Sequence, residues 1–358
     1  MNALDSKSSD RRVPHANGRS RPPSVRSTLA PYKHRKVLVL GATGFIGSWV
    51  VRHLERAGAR IHIAARVADR GSARPVIHSA RVVPHAVDLT APDAVARLFA
   101  EVQPAITFNL AAYGVRRAQR SREQSFMIND AVVGRVAQAM ADCPARGWRG
   151  QRLVHVGSGL EYSDGTAVIT ETSQTQPMTL YGQSKLAGTC RLAEFCSEHD
   201  LAALTARLFM VYGPGEAPGR LLPTLIAAAT DDTDDTEVLL SSGTQKRDFT
   251  YVGDAAAALL RLGLAELKPG EVVNVATGVM TSIRSFAEQA AEVLEILPSR
   301  LRFGAIDARA KEESSAVRAS NERLYEITGW TPPTSVAEGI RRTAAFLKRP
   351  SQPPLPDV

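Results

Sequence analysis

The 358-residue sequence predicts an α/β fold, a doubly wound parallel sheet followed by a smaller C-terminal α/β region. Two observations predict it. From residue 36 onward, short apolar runs alternate with helical segments of 10 to 18 residues, which is how βαβ units covered on both faces read in sequence. The first apolar run also feeds a glycine-spaced turn, GATGFIG, that opens a helix.

The elements follow in order. KVLVL (36–40) reads as a buried strand, SWVVRHLERAG (48–58) as a helix and RIHIA (60–64) as the next strand. RVVPHAVDLT (81–90) gives a third strand, DAVARLFAEV a helix and AITFNLAA (105–112) a fourth strand. A long helix near 123–141 precedes strand RLVHVGS (152–158), helix GQSKLAGTCRLAEFCSEH (182–199) and strand AALTARLFMV (202–211). Beyond 213 the chain turns to Gly/Pro loops, an acidic TDDTDDTE loop read as solvated, and shorter mixed elements. The expected organisation is a basic tail over 1–34, a nucleotide-binding domain over 35–212, a substrate-binding region over 213–348 and a flexible C-terminus over 349–358. Parts of 247–277 are expected to return to the first domain.

Composition sets limits. Residues 1–36 hold nine Lys or Arg against two acids, so most of the net charge of +8 lies there and the body is nearly neutral. Rich in Ser, Pro and Arg, residues 1–34 bury too little apolar surface to offset ordering and are expected to be disordered. Their only aromatic is Tyr32, which argues against nucleic-acid binding by stacking. No segment approaches the roughly 18 uninterrupted apolar residues of a membrane span. The three cysteines, Cys143, Cys190 and Cys196, show no metal-ligand or disulfide spacing, so no metal is expected and a cytoplasmic location is.

Gly41, Gly44 and Gly47 stand between strand and helix, where glycine permits a tight turn, close approach of amides to a pyrophosphate and close helix–strand packing. The flanking Thr43, Phe45 and Ile46 belong to the same cradle. The Gly-x-x-Gly-x-x-Gly spacing resembles the extended short-chain dehydrogenase/reductase family, over about residues 36–345, and implies a Rossmann fold with a bound NAD(P) cofactor. Asp88-Leu89 is similar to the family's pair beside the adenine. Leu110, Ala111 and Ala112 are similar to its fourth-strand segment, whose small residues admit the cofactor, and Tyr113 follows toward the substrate.

The second strand should end in a carboxylate if the adenosine ribose hydroxyls are to be bound, as NAD-preferring relatives do. Here Ala65 stands in that place and Arg66 follows, a guanidinium suited to a 2′-phosphate. NADP(H) is therefore favoured, with NAD(H) as the alternative.

Tyr181-Gly-Gln-Ser-Lys185 places a phenol and an ammonium one helical turn apart. A free Tyr, with a pKa of about 10, is a poor acid–base group at neutral pH, and a neighbouring cation would bring it into range. Hydride transfer at a carbonyl carbon requires such a proton partner at the oxygen. Ser158, ending the upstream strand, completes the triad that the family resemblance implies, with Lys185 also on the nicotinamide ribose. Asn129 resembles a family asparagine that is structural in extended members. Nucleotide-sugar dehydratases of the family carry Asp-Glu directly after the hydroxyl residue, whereas this chain has Gly159-Leu160, and Glu161 comes one position late.

On the substrate side RLFMVYGPGE (207–216) resembles the segment along a nucleotide-sugar, with Met210 where the family has Asn. Arg247, in KRDFTYVGD, and then Arg220 are the candidates for the diphosphate, which a guanidinium fork suits. The resemblance implies a nucleotide-sugar oxidoreductase. A 4-ketoreductase of a 4-keto-6-deoxy sugar leads, and a 4-epimerase follows. A reductase of non-sugar carbonyls and a non-catalytic NADP(H)-binding regulator are the remaining readings. A homodimer is usual in the family.

Overall fold

The computed structural model describes residues 29–65, 80–114, 121–163, 168–230, 237–306 and 318–348. Arg66, most of the basic tail, most of the TDDTDDTE loop and the last ten positions lie outside them.

β1 (Lys36–Leu40) is buried on both faces because it is apolar at every position after Lys36. Val37 and Val39 join one hydrophobic layer, Leu38 and Leu40 the other. Around it run β2 (Arg60–Ala65), β3 (Val82–Ala86), β4 (Ile106–Asn109), β5 (Leu153–Ser158), β6 (Ala203–Leu208) and β10 (Glu271–Val275). The sheet order is β3-β2-β1-β4-β5-β6-β10, with all pairings parallel. The order reverses between β1 and β4, so the ligand crevice of such a sheet opens above their C-terminal ends.

One face is covered by α1 (Phe45–Arg56) and α7 (Val252–Leu264), packed against each other. The other carries α2 (Ala94–Val102), α4 (Val132–Ala141) and α5 (Leu180–His199); α3 (Arg122–Phe126) leads into α4 through a π-helical turn, Met127–Ala131. Helix α1 begins at Phe45, ahead of the expected 48, because Gly44 already serves as its N-cap. Strand β3 stops at Ala86, short of the expected 90, because the Asp88 carboxylate accepts the Thr90 amide (2.9 Å) and hydroxyl (2.7 Å) and bends the chain.

The second region holds α6 (Leu221–Ala229), α8 (Ile283–Leu294), α9 (Glu322–Thr328) and α10 (Val336–Lys348). Its strands form small sheets of their own: β11 (Met280–Ser282) with β9 (Lys246–Tyr251) and β7 (Met210–Tyr212), and β12 (Leu301–Phe303) with β8 (Val238–Leu240). Residues 247–251 thus pair outside the seven-stranded sheet, whereas α7 packs against α1 and β10 is an edge strand of that sheet. Two buried carboxylates bind the regions together. Asp248 accepts the Thr277 amide (2.9 Å) and hydroxyl (2.8 Å) and the Gly278 amide (2.7 Å), and Asp254 accepts the Thr334 amide (2.9 Å) and hydroxyl (3.0 Å).

The ordered body also starts before residue 35. Leu29 and Tyr32 are buried, and the Tyr32 hydroxyl donates to the Leu260 carbonyl at 2.7 Å. The Tyr32 ring sits 5.3 Å from that of Trp148 and 6.2 Å from that of Phe108. One satisfied, fully buried aromatic offsets the ordering of its few neighbours, so the expectation of disorder to residue 34 fails for 29–34.

Candidate active site

The glycine turn is dictated by contact. Gly41 has φ +76°, and a β-carbon there would lie 2.7 Å from the Leu110 backbone, just where β4 ends. The Leu110 amide donates to the Leu40 carbonyl at 2.9 Å, fixing that approach. At Gly47 a β-carbon would stand 2.2 Å from the Gly41 carbonyl oxygen. Gly44 is exposed at the N-cap of α1, with no side-chain cap, so the first amides of the helix face outward as an anion cradle would require. Thr43, Phe45 and Ile46 are half-buried around this turn.

Ala65 closes β2 opposite Ala86 of β3, so two methyl groups stand at that strand end. Asp88 is exposed; Leu89 packs on the α2–α4 layer, and the Arg135 guanidinium holds the Thr90 carbonyl at 3.0 Å. Leu110 and Ala111 are half-buried, Ala112 is exposed, and Tyr113 is tied by both backbone groups to the buried Asn129 amide, at 3.0 and 2.8 Å. Asn129 also donates to the Ser184 hydroxyl at 2.9 Å, locking this loop to α5.

Ser158 ends β5 and caps a 3₁₀ turn, Gly159–Glu161. Its Oγ accepts the Leu160 amide at 3.2 Å, which leaves the hydroxyl proton for another acceptor. That turn abuts the first turn of α5: a β-carbon on Gly182 would meet the Leu160 carbonyl oxygen at 2.2 Å. On the other side Gly114 borders the Tyr181 ring, where a β-carbon would sit 3.3 Å from Cδ2. Tyr181 is thus placed between the Ser158 turn and the Tyr113–Gly114 segment, with Lys185 one turn further along and 1% exposed.

The electrostatics differ from the sequence expectation. Burial, and secondarily the Glu161 charge, push the Tyr181 phenol above its ordinary value rather than below it. Burial pulls Lys185 down to about 8, against a countervailing lift from Glu161. Lysine therefore loses its proton before tyrosine does, and across neutral pH the pair is a neutral phenol beside an ammonium. That combination is a proton donor.

Glu161 is the acid the sequence argument set aside. It is fully buried, its Oε1 accepting the Ser158 amide (2.7 Å) and its Oε2 accepting Thr189 Oγ1 (2.9 Å) and Arg207 Nε (2.7 Å). A local signal existed, since Ser-x-x-Glu is a capping box. Leu160, by contrast, is 54% exposed.

Further out, Met210 and Arg220 meet, with Arg220 Nη2 3.5 Å from the Met210 sulfur. Arg220 Nε donates to Glu216 Oε1 at 3.3 Å, and Glu216 is a site-bordering acid that sequence reasoning missed. Burial raises Glu216 above the usual carboxylate range. Arg247 is half-buried in β9 two residues before Phe249, the partner of Met210 in β7; its Nη1 donates to the Lys246 carbonyl at 2.7 Å.

Residues 37–276 match the model of the NAD-dependent epimerase/dehydratase family. The chain belongs to that family. It is an enzyme chain of the extended short-chain dehydrogenase/reductase type, similar to a UDP-glucose 4-epimerase of Mycolicibacterium smegmatis, with 31% identity over 88% of this chain and 100% of the relative. It is also similar to a GDP-6-deoxy-D-mannose reductase of Pseudomonas aeruginosa, at 27% identity over 86% of this chain and 95% of the relative. Among solved structures, an epimerase of Methanothermobacter thermautotrophicus superposes with a TM-score of 0.79, covering 91% of this chain and 96% of the other at 22% identity. MoeE5 in complex with UDP-glucuronic acid and NAD superposes with a TM-score of 0.74 at 26% identity, covering 88% of this chain and 99% of the other. Among the described residues of this family member no helix is long and apolar enough to cross a membrane.

Proposed function

We propose that this chain is an NADPH-dependent 4-ketoreductase of a nucleoside-diphosphate 4-keto-6-deoxyhexose. The observation that carries the reading is the turn after Ser158: Gly159 and an exposed Leu160 follow the hydroxyl residue, and Glu161 is withdrawn into a buried ion pair with Arg207. A site built for dehydration needs an acid and a base beside the sugar; this turn offers neither.

The cradle fits a dinucleotide. Gly41 and Gly47 let the turn close against β4 and α1 where β-carbons would collide with backbone, and Gly44 leaves the uncapped α1 N-terminus open to a pyrophosphate. Ala65 in place of a ribose-binding carboxylate supports a 2′-phosphorylated cofactor, with Arg66 as the phosphate clamp. The reduced nicotinamide, when bound, supplies the hydride. Tyr181 gives its phenolic proton to the substrate carbonyl oxygen, and the Ser158 hydroxyl donates a hydrogen bond to that oxygen. Lys185 supplies positive charge beside Tyr181 and holds the ribose. Arg220, oriented by Glu216, and Arg247 are assigned to the diphosphate.

A 4-epimerase is the second reading, favoured by the 31% identity to a UDP-glucose 4-epimerase over that relative's whole length. Calorimetric titration of the cofactor-stripped protein with NADPH and NADH, each followed by UDP, dTDP, GDP and CDP, separates the two. Preference for NADPH and for one nucleotide supports the reductase. Preference for NADH, or a cofactor that resists stripping, transfers the assignment to the epimerase.

A further inference from the structure

Glu161 is an expensive residue to bury. A carboxylate with no exposed surface is tolerated only when its oxygens are satisfied and its charge is paired, and an apolar residue of similar size commonly serves stability as well. Its three hydrogen bonds reach three different parts of the site. Oε1 takes the amide of Ser158 on β5, and Oε2 takes the hydroxyl of Thr189, one turn beyond Lys185 on α5, and Nε of Arg207 on β6. The space it occupies exists because residue 157 is glycine; a β-carbon there would lie 2.6 Å from Glu161 Oε1. Arg207 is itself braced, its guanidinium 4.4 Å from the Tyr162 ring centre, while the Tyr162 hydroxyl donates to Asn274 Oδ1 at 2.7 Å.

We infer that Glu161 is the positioning residue of this site: its carboxylate locks the serine strand to the tyrosine–lysine helix and stands as the anion of that locked group. The inference rests on reading Ser158, Tyr181 and Lys185 as the reacting group. The groups facing Lys185 support it. From β5 comes His155, which burial and Lys185 itself hold neutral; from the same helix comes Tyr181, also neutral; from the 3₁₀ turn comes Glu161, with Arg207 of β6 behind it. Glu161 is thus the anion of this group, and it opposes the desolvation that drives Lys185 toward the free amine.

The test needs neither substrate nor cofactor. In protein labelled with ¹³C at lysine Cε, the resonance absent from Lys185→Arg identifies Lys185, and its titration is followed in the wild type, in Glu161→Gln and in Glu161→Gln/Arg207→Gln. The double variant leaves no buried guanidinium without its carboxylate, so it keeps the test readable should the single variant unfold, and it separates the loss of the carboxylate from the effect of the arginine left behind. The expected result is a Lys185 midpoint at least about one pH unit lower than wild type in both, a tenfold stronger acid, with amide exchange at Ser158 accelerated at least about tenfold. An unmoved midpoint in the double variant overturns the inference, whatever the melting temperature does, because a purely structural residue would change stability and leave the midpoint in place. Failure of the catalytic reading shows separately, as undiminished turnover in Tyr181→Phe.

Discussion

A β-carbon on Gly47 would stand 2.2 Å from the carbonyl oxygen of Gly41, so the helix that opens the cofactor cradle touches the turn that forms it. No side-chain rotation relieves this, because the backbone fixes the position of both atoms. Gly47→Ala is expected to displace α1 and weaken NADPH binding at least about a hundredfold, with the about 1–3 kcal/mol destabilisation usual for overpacking. Gly44→Ala, whose β-carbon would meet the same oxygen at 3.1 Å, should lose much less. Calorimetry on the two variants checks this; a Gly47→Ala protein that binds like wild type would remove the cradle.

Tyr181 is the group assigned to proton donation. Replacement by Phe keeps the ring that Gly114 borders and removes only the hydroxyl. Turnover should fall at least roughly a hundredfold, as for loss of a general acid, while NADPH affinity stays within about threefold. Single-turnover oxidation of bound NADPH reads the first quantity, and titration reads the second.

The pH dependence follows from the order in which the pair titrates. Tyr181, raised by burial, keeps its proton through the working range, so it gives no alkaline limb to a reduction there. In the proposed mechanism Lys185 acts as an ammonium, and with its pKa pulled down to about 8 that form is present below that pH and is lost above it. The rate of reduction should be level through neutral pH and then fall about tenfold per unit above about 8. In Lys185→Arg, a cation that does not titrate, the residual rate should carry no such limb; a limb at the same pH in both proteins would reassign it.

What the sequence reveals and what it hides divide along physical lines. The glycine spacing and the Tyr181–Lys185 pair are legible because strand, turn and helix are local structures with local signals. The direction of the Tyr181 shift is not, because spacing reports a neighbouring cation but not the burial that outweighs it. Met210, Glu216 and Arg220 converge only once the loop between them is folded. The pairing of β9 with β7 joins segments far apart in the chain, and alternation alone does not choose a strand's partner. Tyr32 was hidden by averaging, since a single buried ring is diluted by the polar, basic residues around it.

That ring makes the N-terminus divisible. A chain beginning at Leu29 should melt and turn over as the full chain does, whereas one beginning at Arg35 loses Tyr32 and its contacts with Leu260, Trp148 and Phe108. Tyr32→Ala in the full chain should cost about 3–5 kcal/mol, as for other fully buried aromatics. Urea unfolding of the three proteins tests this, and equal midpoints for the two truncations would show that Tyr32 contributes nothing to the body.

One contribution to acid stability comes from His53, buried between α1 and α7 beside Arg56, Arg52 and Arg261. Burial first, and then the Arg56 charge, lower it to about 4. The unfolded chain binds this proton near pH 6.5 and the folded chain only near 4, so the unfolded state gains protons first as pH falls. The contribution of His53 to stability is therefore complete above pH 6.5 and declines between 6.5 and 4, reaching a loss of about 2 kcal/mol by pH 5. A neutral amide does not titrate, so His53→Gln should be less stable than wild type at pH 7.5 yet lose about 2 kcal/mol less on going to pH 5. Urea midpoints at the two pH values, converted with a common slope, measure the difference. Equal losses in the two proteins would mean that His53 takes up its proton in the folded state at the same pH as in the unfolded one.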